Sequence, residues 1–122
     1  MLVKTESLSV ISRLIDGNFP DYKQVIPATF EQEAAVNRQD FLNAIKVTSV
    51  FAGRNSDITV RTGDNGKFLE VYAAEGALGE NVCKVPARID GGACSLVLNW
   101  RFVLDGLKIY RTEEVIFGVN GA

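Results

Sequence analysis

No histidine occurs anywhere in the 122 residues, which removes the side chain most often used as a general base near neutral pH and as a zinc ligand. A serine or cysteine nucleophile would need an unusual partner. Cysteine is almost as scarce. Cys83 and Cys94 are the only two, so neither a zinc site nor a dense disulfide framework can be assembled, and both are expected as buried free thiols. The formal net charge is only -2, which gives no global attraction to nucleic acid. No apolar run approaches the roughly 20 residues that span a bilayer. The opening MLVKTESLSV lacks the basic start, long apolar centre and small-residue cleavage site of a secretory signal. A soluble, cytoplasmic chain without a membrane segment is the expectation.

Phosphate-loop chemistry is missing too, because no GxxxxGK[ST] string is present and the glycine pairs fall between strand patterns rather than between a strand and a helix. Two carboxylate pairs remain. Glu113 and Glu114 are adjacent and, in a strand, point to opposite faces; Glu31 and Glu33 share a face that is expected to be solvated. The sequence therefore offers no catalytic residue, no metal site and no cofactor site.

What is present is an ordinary globular composition, 47% hydrophobic and 23% charged, in one domain's length. Leu8, Val10, Ser12 and Leu14 alternate with Ser7, Ser9, Ile11 and Arg13, which predicts a strand. Gly17, Pro20 and Pro27 then break the chain, with Pro20 suited to the first position of a short helical turn. A second strand is predicted from Thr29 through Val36.

Asn37 is a candidate N-cap for a helix reaching about Ala52, with Phe41, Ile45, Thr48 and Ala52 as its apolar stripe, widened by Leu42 and Ser49. Gln39, Asn43 and Lys46 fall on its wet side, and Gly53 stops it. Strands over SDITVRT, KFLEVYAAE, NVCKVPARID and CSLVLN follow, joined by turns at Asp64-Asn65-Gly66 and Gly91-Gly92. Pro86 marks a bulge or an edge position. A second helix opens at Asn99, with Leu98 and Val103 placed for a hydrophobic staple, Phe102, Val103 and Leu107 expected to pack, and Arg101, Asp105 and Lys108 on a polar face. EEVIFGVNG is the last strand. The pattern predicts an α+β fold in which two helices, near 38–52 and 99–108, lie side by side on one face of an antiparallel sheet.

On such a face Lys46, Arg101 and Lys108 would form a stripe able to meet a phosphate backbone; equally, they fit ordinary solvated helix faces, given Asp40 and Asp105 close by. No array of exposed aromatics suggests single-strand binding.

The string SRLIDGNFPDYKQVIP, from Ser12 to Pro27, closely resembles the segment of the bacterial sliding clamp family, the β subunit of DNA polymerase III, that ends the second domain and leads into the third. RQDFLNAIKVTSVFAGRNSDITV and LVLNWRFVLDGLK are similar to the first helix with its following strand, and to the second helix, of the third domain. The resemblance covers essentially the whole chain. It implies that residues 1–28 are a remnant of the preceding domain with its linker, and that residues 29–122 are a third clamp domain lacking its final strand.

It also implies a processivity factor of DNA replication, two chains closing head to tail into a ring around duplex DNA with the helices lining the hole. Expected partners are the catalytic subunit of DNA polymerase III, the clamp loader and other proteins carrying a short clamp-binding peptide. The family's peptide pocket carries over to Pro20, Gln24, Val25, Asn99 and Phe102, with Asn55 nearby. Gln24 stands where a basic residue is common and Phe102 where a tyrosine is familiar. Local packing is the competing reading of Pro20, Val25 and Phe102. A stand-alone α+β ligand-binding or small-molecule enzyme domain is the competing reading of the whole.

Overall fold

The computed structural model describes residues 1–63 and 65–121. Strands β1 (Leu2–Lys4) and β2 (Ser9–Ile11) form a separate antiparallel hairpin in register Leu2↔Ile11. The strand expected over 7–14 is shorter than its alternation suggests. Ser12 N donates to Met1 O at 3.0 Å, and residues 13–19 beyond it have no partner strand among the described residues. With neither face covered, Leu8, Val10 and Leu14 are all exposed.

Helix α1 (Tyr22–Val25) is capped by Asp21, whose Oδ1 accepts from Lys23 N at 3.1 Å. Pro20 therefore precedes the cap instead of opening the helix: the Asp21 carboxylate takes the capping position and the helix starts at Tyr22, two residues later than expected. Strand β3 (Gln32–Asn37) likewise begins later than expected. Thr29 and Glu31 bond to the Asn120 side chain instead of joining the ladder.

Helix α2 (Arg38–Thr48) continues as a 3-10 turn over Ser49–Phe51. Asn37 caps it, accepting from Gln39 N at 2.9 Å and Asp40 N at 3.1 Å, which satisfies two of the otherwise orphaned first-turn donors. Phe41, Leu42, Ile45, Thr48 and Ala52 are buried, so the expected stripe is the observed one. Gly53 leaves the helix with φ 55, and a Cβ there would collide with the Glu75 carboxylate.

Strands β4 (Asp57–Thr62), β5 (Phe68–Glu75), β6 (Gly79–Asp90) and β7 (Ser95–Asn99) follow, then helix α3 (Trp100–Ile109) and strand β8 (Glu114–Val119). Of the turn expected at 64–66, Asp64 lies outside the described residues; Asn65 Oδ1 accepts from Lys67 N, and Gly66 has φ 66. Both cysteines are free thiols, Cys94 buried as expected and Cys83 only half-buried on β6.

The six-stranded sheet has the order β7-β4-β5-β6-β3-β8, with every pairing antiparallel. β6 serves two partners: Gly79 through Pro86 pairs with β5, and Ala87 through Asp90 pairs with β3. Pro86 sits at this exchange, an edge position as its missing N–H requires.

Ile58, Val60, Leu69, Val71, Ala73, Val85, Ala34 and Val36 point inward from the sheet, and Phe41, Leu42, Ile45, Leu104 and Leu107 meet them from the helices in a single core. α2 packs on β3, β5 and β6, and α3 packs on β7 and against α2. The two helices thus lie side by side on one face of the sheet, the architecture expected from their single apolar stripes. One expected core residue is misplaced. Phe102 is 78% exposed, while Leu104 and Leu107 take the buried positions. With Leu104 and Leu107 facing in, a helical wheel of about 100° per residue turns position 102 outward.

Candidate nucleic-acid and partner interface

The helix layer brings Lys46, Arg101 and Lys108 onto the same side of the sheet, all three exposed. Each helix carries two cations against one carboxylate: Arg38 and Lys46 with Asp40 on α2, Arg101 and Lys108 with Asp105 on α3. The layer is therefore positive on a chain whose net charge is -2. The three cations are not equivalent. Lys46 makes no ion pair among the described residues. The Arg101 guanidinium lies 5.2 Å from the centroid of the Trp100 ring, a cation–π contact that steadies the side chain without neutralising it. Lys108 Nζ is 3.0 Å from Asp105 Oδ1, an exposed i,i+3 pair that offsets its charge locally.

The six expected peptide-pocket residues fall into two groups. Asn99 caps α3 by accepting from Arg101 N at 3.0 Å, and its Nδ2 faces the Asn55 carbonyl at 3.5 Å. Trp100 N donates to Ser56 O at 3.0 Å, so the loop after α2 is hooked to the start of α3. These contacts place Asn55, Asn99 and Phe102 at one end of the helix layer. Pro20, Gln24 and Val25 form the second group, around α1. Its hydrogen bonds stay within the segment: Gln24 N to Asp21 O, Gln24 Nε2 to Asp21 Oδ2, and Ile26 N to Tyr22 O. Among the described residues no hydrogen bond joins the two groups.

A feature that pattern reading missed lies beside Phe102. A groove of about 170 Å³ runs between α3 and β8. Phe41 and Phe117, in edge-to-face contact at 5.9 Å, line it together with Leu107. Exposed Phe102, Tyr110 and Ile116 also line it. Gly106 lines it as well, and a Cβ there would meet nothing within 4 Å. The signal was available in the mid-helix glycine, which otherwise costs about 1 kcal/mol relative to alanine.

On the opposite face of the sheet, Glu70 accepts from Arg61 Nε at 2.7 Å and lies 3.6 Å from Lys84 Nζ. The Arg61 hydrogen bond holds the Glu70 carboxyl below its ordinary value, against a smaller opposing effect of burial, with the charges of Arg61 and Lys84 adding to the depression. The arrangement is structural, joining β4, β5 and β6.

Comparison with known proteins decides the family. Residues 23–122 match the model of the DNA polymerase III beta subunit, C-terminal domain. The chain belongs to this family. It is 30% identical over 125 residues to the beta sliding clamp of Bacillus subtilis (strain 168), covering 100% of this chain and 33% of that protein. The clamp of Staphylococcus aureus (strain Mu50) is 29% identical over 118 residues, with 94% of this chain and 31% of that protein covered.

Among solved structures, the Bacillus subtilis sliding clamp superposes with a TM-score of 0.81 at 30% identity over 99% of this chain and 32% of that one. The Thermotoga maritima beta subunit gives 0.79 at 26% identity over 96% and 32%. The chain thus spans about a third of the length of the curated relatives it matches. The clamp-domain architecture of two helices on curled antiparallel sheet is shared with these structures.

Proposed function

We propose that this chain is part of a ring-forming processivity clamp that encircles duplex DNA and tethers the replicative polymerase. The supporting observation is the family match over residues 23–122, joined to a helix layer that carries surplus positive charge. Lys46 and Arg101 face the phosphates, and Lys108 contributes less because Asp105 holds it. Such a surface needs only diffuse attraction to a backbone, without base readout. The role is non-catalytic and cytoplasmic.

In this reading residues 1–28 belong with a preceding clamp domain and residues 29–122 belong to the third, without its final strand. Residues 1–30 are exposed throughout and contribute nothing to the core, as a segment that packs elsewhere would. Ring closure by a second copy, head to tail, has a ready surface. Among the described residues, the edge of β6 that faces away from β5 is unpaired from Gly79 to Val85, and Val47, Val50 and Val82 are exposed beside it. Pro20, Gln24, Val25, Asn55, Asn99 and Phe102 receive the clamp-binding peptides of the polymerase III catalytic subunit, the clamp loader and other partners.

A chimera tests the reading: the corresponding third of the Bacillus subtilis clamp is replaced by this chain and processive synthesis on primed circular DNA is measured. Retained processivity is expected. A chimera that folds and dimerises but confers none would overturn it.

A further inference from the structure

The chain entering the domain is tied to the chain leaving it at one residue. Just beyond β8, Asn120 Oδ1 accepts from Glu31 N at 2.7 Å, and its Nδ2 donates to Thr29 O at 2.9 Å. Gly121 N donates to the Glu31 carboxylate at 3.2 Å. The last ladder pair of β3 with β8 is Gln32↔Val119, so the Asn120 amide carries the pairing on after both strands have ended. Phe30 lies between these bonds, its ring so close over Gly118 that a Cβ there would stand 2.6 Å away. From the other side the turn after β6 presses on the same segment: a Cβ on Gly91 would collide with the Glu31 carbonyl.

We infer that Asn120 is a positioning residue, the latch that fixes the direction in which segment 20–26 leaves the domain and hence where Pro20, Gln24 and Val25 stand relative to Phe102. Few soft torsions separate the latch from α1. Pro27 has its φ locked by its ring, and Ile26 before it is held extended, with φ -78 and ψ 120. An orientation set at Thr29 is therefore transmitted to α1 instead of being lost in a flexible linker. Among the described residues segment 20–26 hydrogen-bonds only to itself, so this anchor supplies its registration. The inference rests on the proposed shared peptide pocket for its consequence, though not for the geometry of the latch.

The test uses the full 122-residue chain in a Cys83→Ser, Cys94→Ala background, spin-labelled at Lys23→Cys and Ile109→Cys, both exposed and outside the proposed pocket. Pulsed dipolar spectroscopy should give one narrow distance with Asn120 and a broad distribution with Asn120→Ala, while exchange protection of the Ile45 and Val60 amides stays unchanged. Asn120→Asp retains the acceptor for Glu31 N but turns a carboxylate oxygen against Thr29 O, so it should broaden the distribution as Asn120→Ala does. Identical distributions with and without the Asn120 amide, narrow or broad, would overturn the latch.

A fluorescent peptide carrying a clamp-binding motif, titrated in parallel, should bind Asn120→Ala about tenfold more weakly. If the latch is seen in the distances while the unmutated chain captures no peptide, the pocket reading fails and the latch stands. If peptide binds both forms equally, its control of the pocket is overturned.

Discussion

Pro86 and Ala87 are consecutive residues of one strand that answer to different partners: Pro86 opposes Phe68 on β5, and Ala87 opposes Val36 on β3. Ala87 N donates to Lys67 O at 2.9 Å, so position 86 faces the opposite, unpaired edge, where a proline offers no donor to an incoming strand. Replacing Pro86 by Val should leave stability within about 1 kcal/mol and increase self-association through that edge. Sedimentation velocity over a concentration series reads the change; an unaltered monomer fraction would mean that the edge is blocked by something other than Pro86.

Phe41 and Phe102 separate stability from binding. Phe41 is buried between the helices and the sheet, so Phe41→Ala should cost about 3–5 kcal/mol in urea unfolding. Phe102, exposed at the groove, should cost no more than about 0.5 kcal/mol when changed to Ala, yet weaken peptide capture. A large loss of stability at Phe102 would return it to the core.

The cationic face gives a salt-dependent readout. In a clamp carrying this chain, Lys46→Glu with Arg101→Glu should reduce retention on closed circular duplex DNA. The same pair of changes should flatten its dependence on salt by roughly 0.9 in log-log slope for each phosphate that is no longer neutralised. Lys108→Glu alone should do least, because Asp105 already offsets its charge. Equal retention of all variants at low salt would identify these residues as solvated bystanders.

Glu70 sets a pH dependence. Its folded pKa is lowered, first by the Arg61 hydrogen bond, so its contribution to stability is present above the ordinary glutamate value and is lost as pH falls through the depressed one. Arg61→Gln should therefore shrink the stability gap between neutral and acid pH. Thermal melts of both proteins across the acid range measure it, and parallel curves would refute the linkage.

Helix caps were legible because they are local. Asn37 and Asn99 each bond within three residues of themselves, and the stripe of α2 follows from periodicity alone. Asn37→Ala should lower stability by about 1 kcal/mol, a change that urea titration resolves. Phe102 was misassigned because large apolar side chains are counted toward a core by default; only the register fixed by Leu104 and Leu107 turns it outward. The Asn120 latch and the Phe30 approach to Gly118 left no trace in the pattern, since they join residues about 90 positions apart. The family resemblance supplied the peptide-pocket residues, and neither periodicity nor charge would have grouped Pro20 with Phe102.

Sharing β6 between two ladders has a mechanical consequence. A load applied at β8 reaches β7 along the covalent backbone of one strand as well as across hydrogen bonds. Among the described residues, the ladder that joins β3 and β8 to the other strands has only four pairs, from Glu33↔Asp90 to Val36↔Ala87. Tension across the strands therefore falls on those four pairs and on the β6 backbone where Pro86 passes to Ala87.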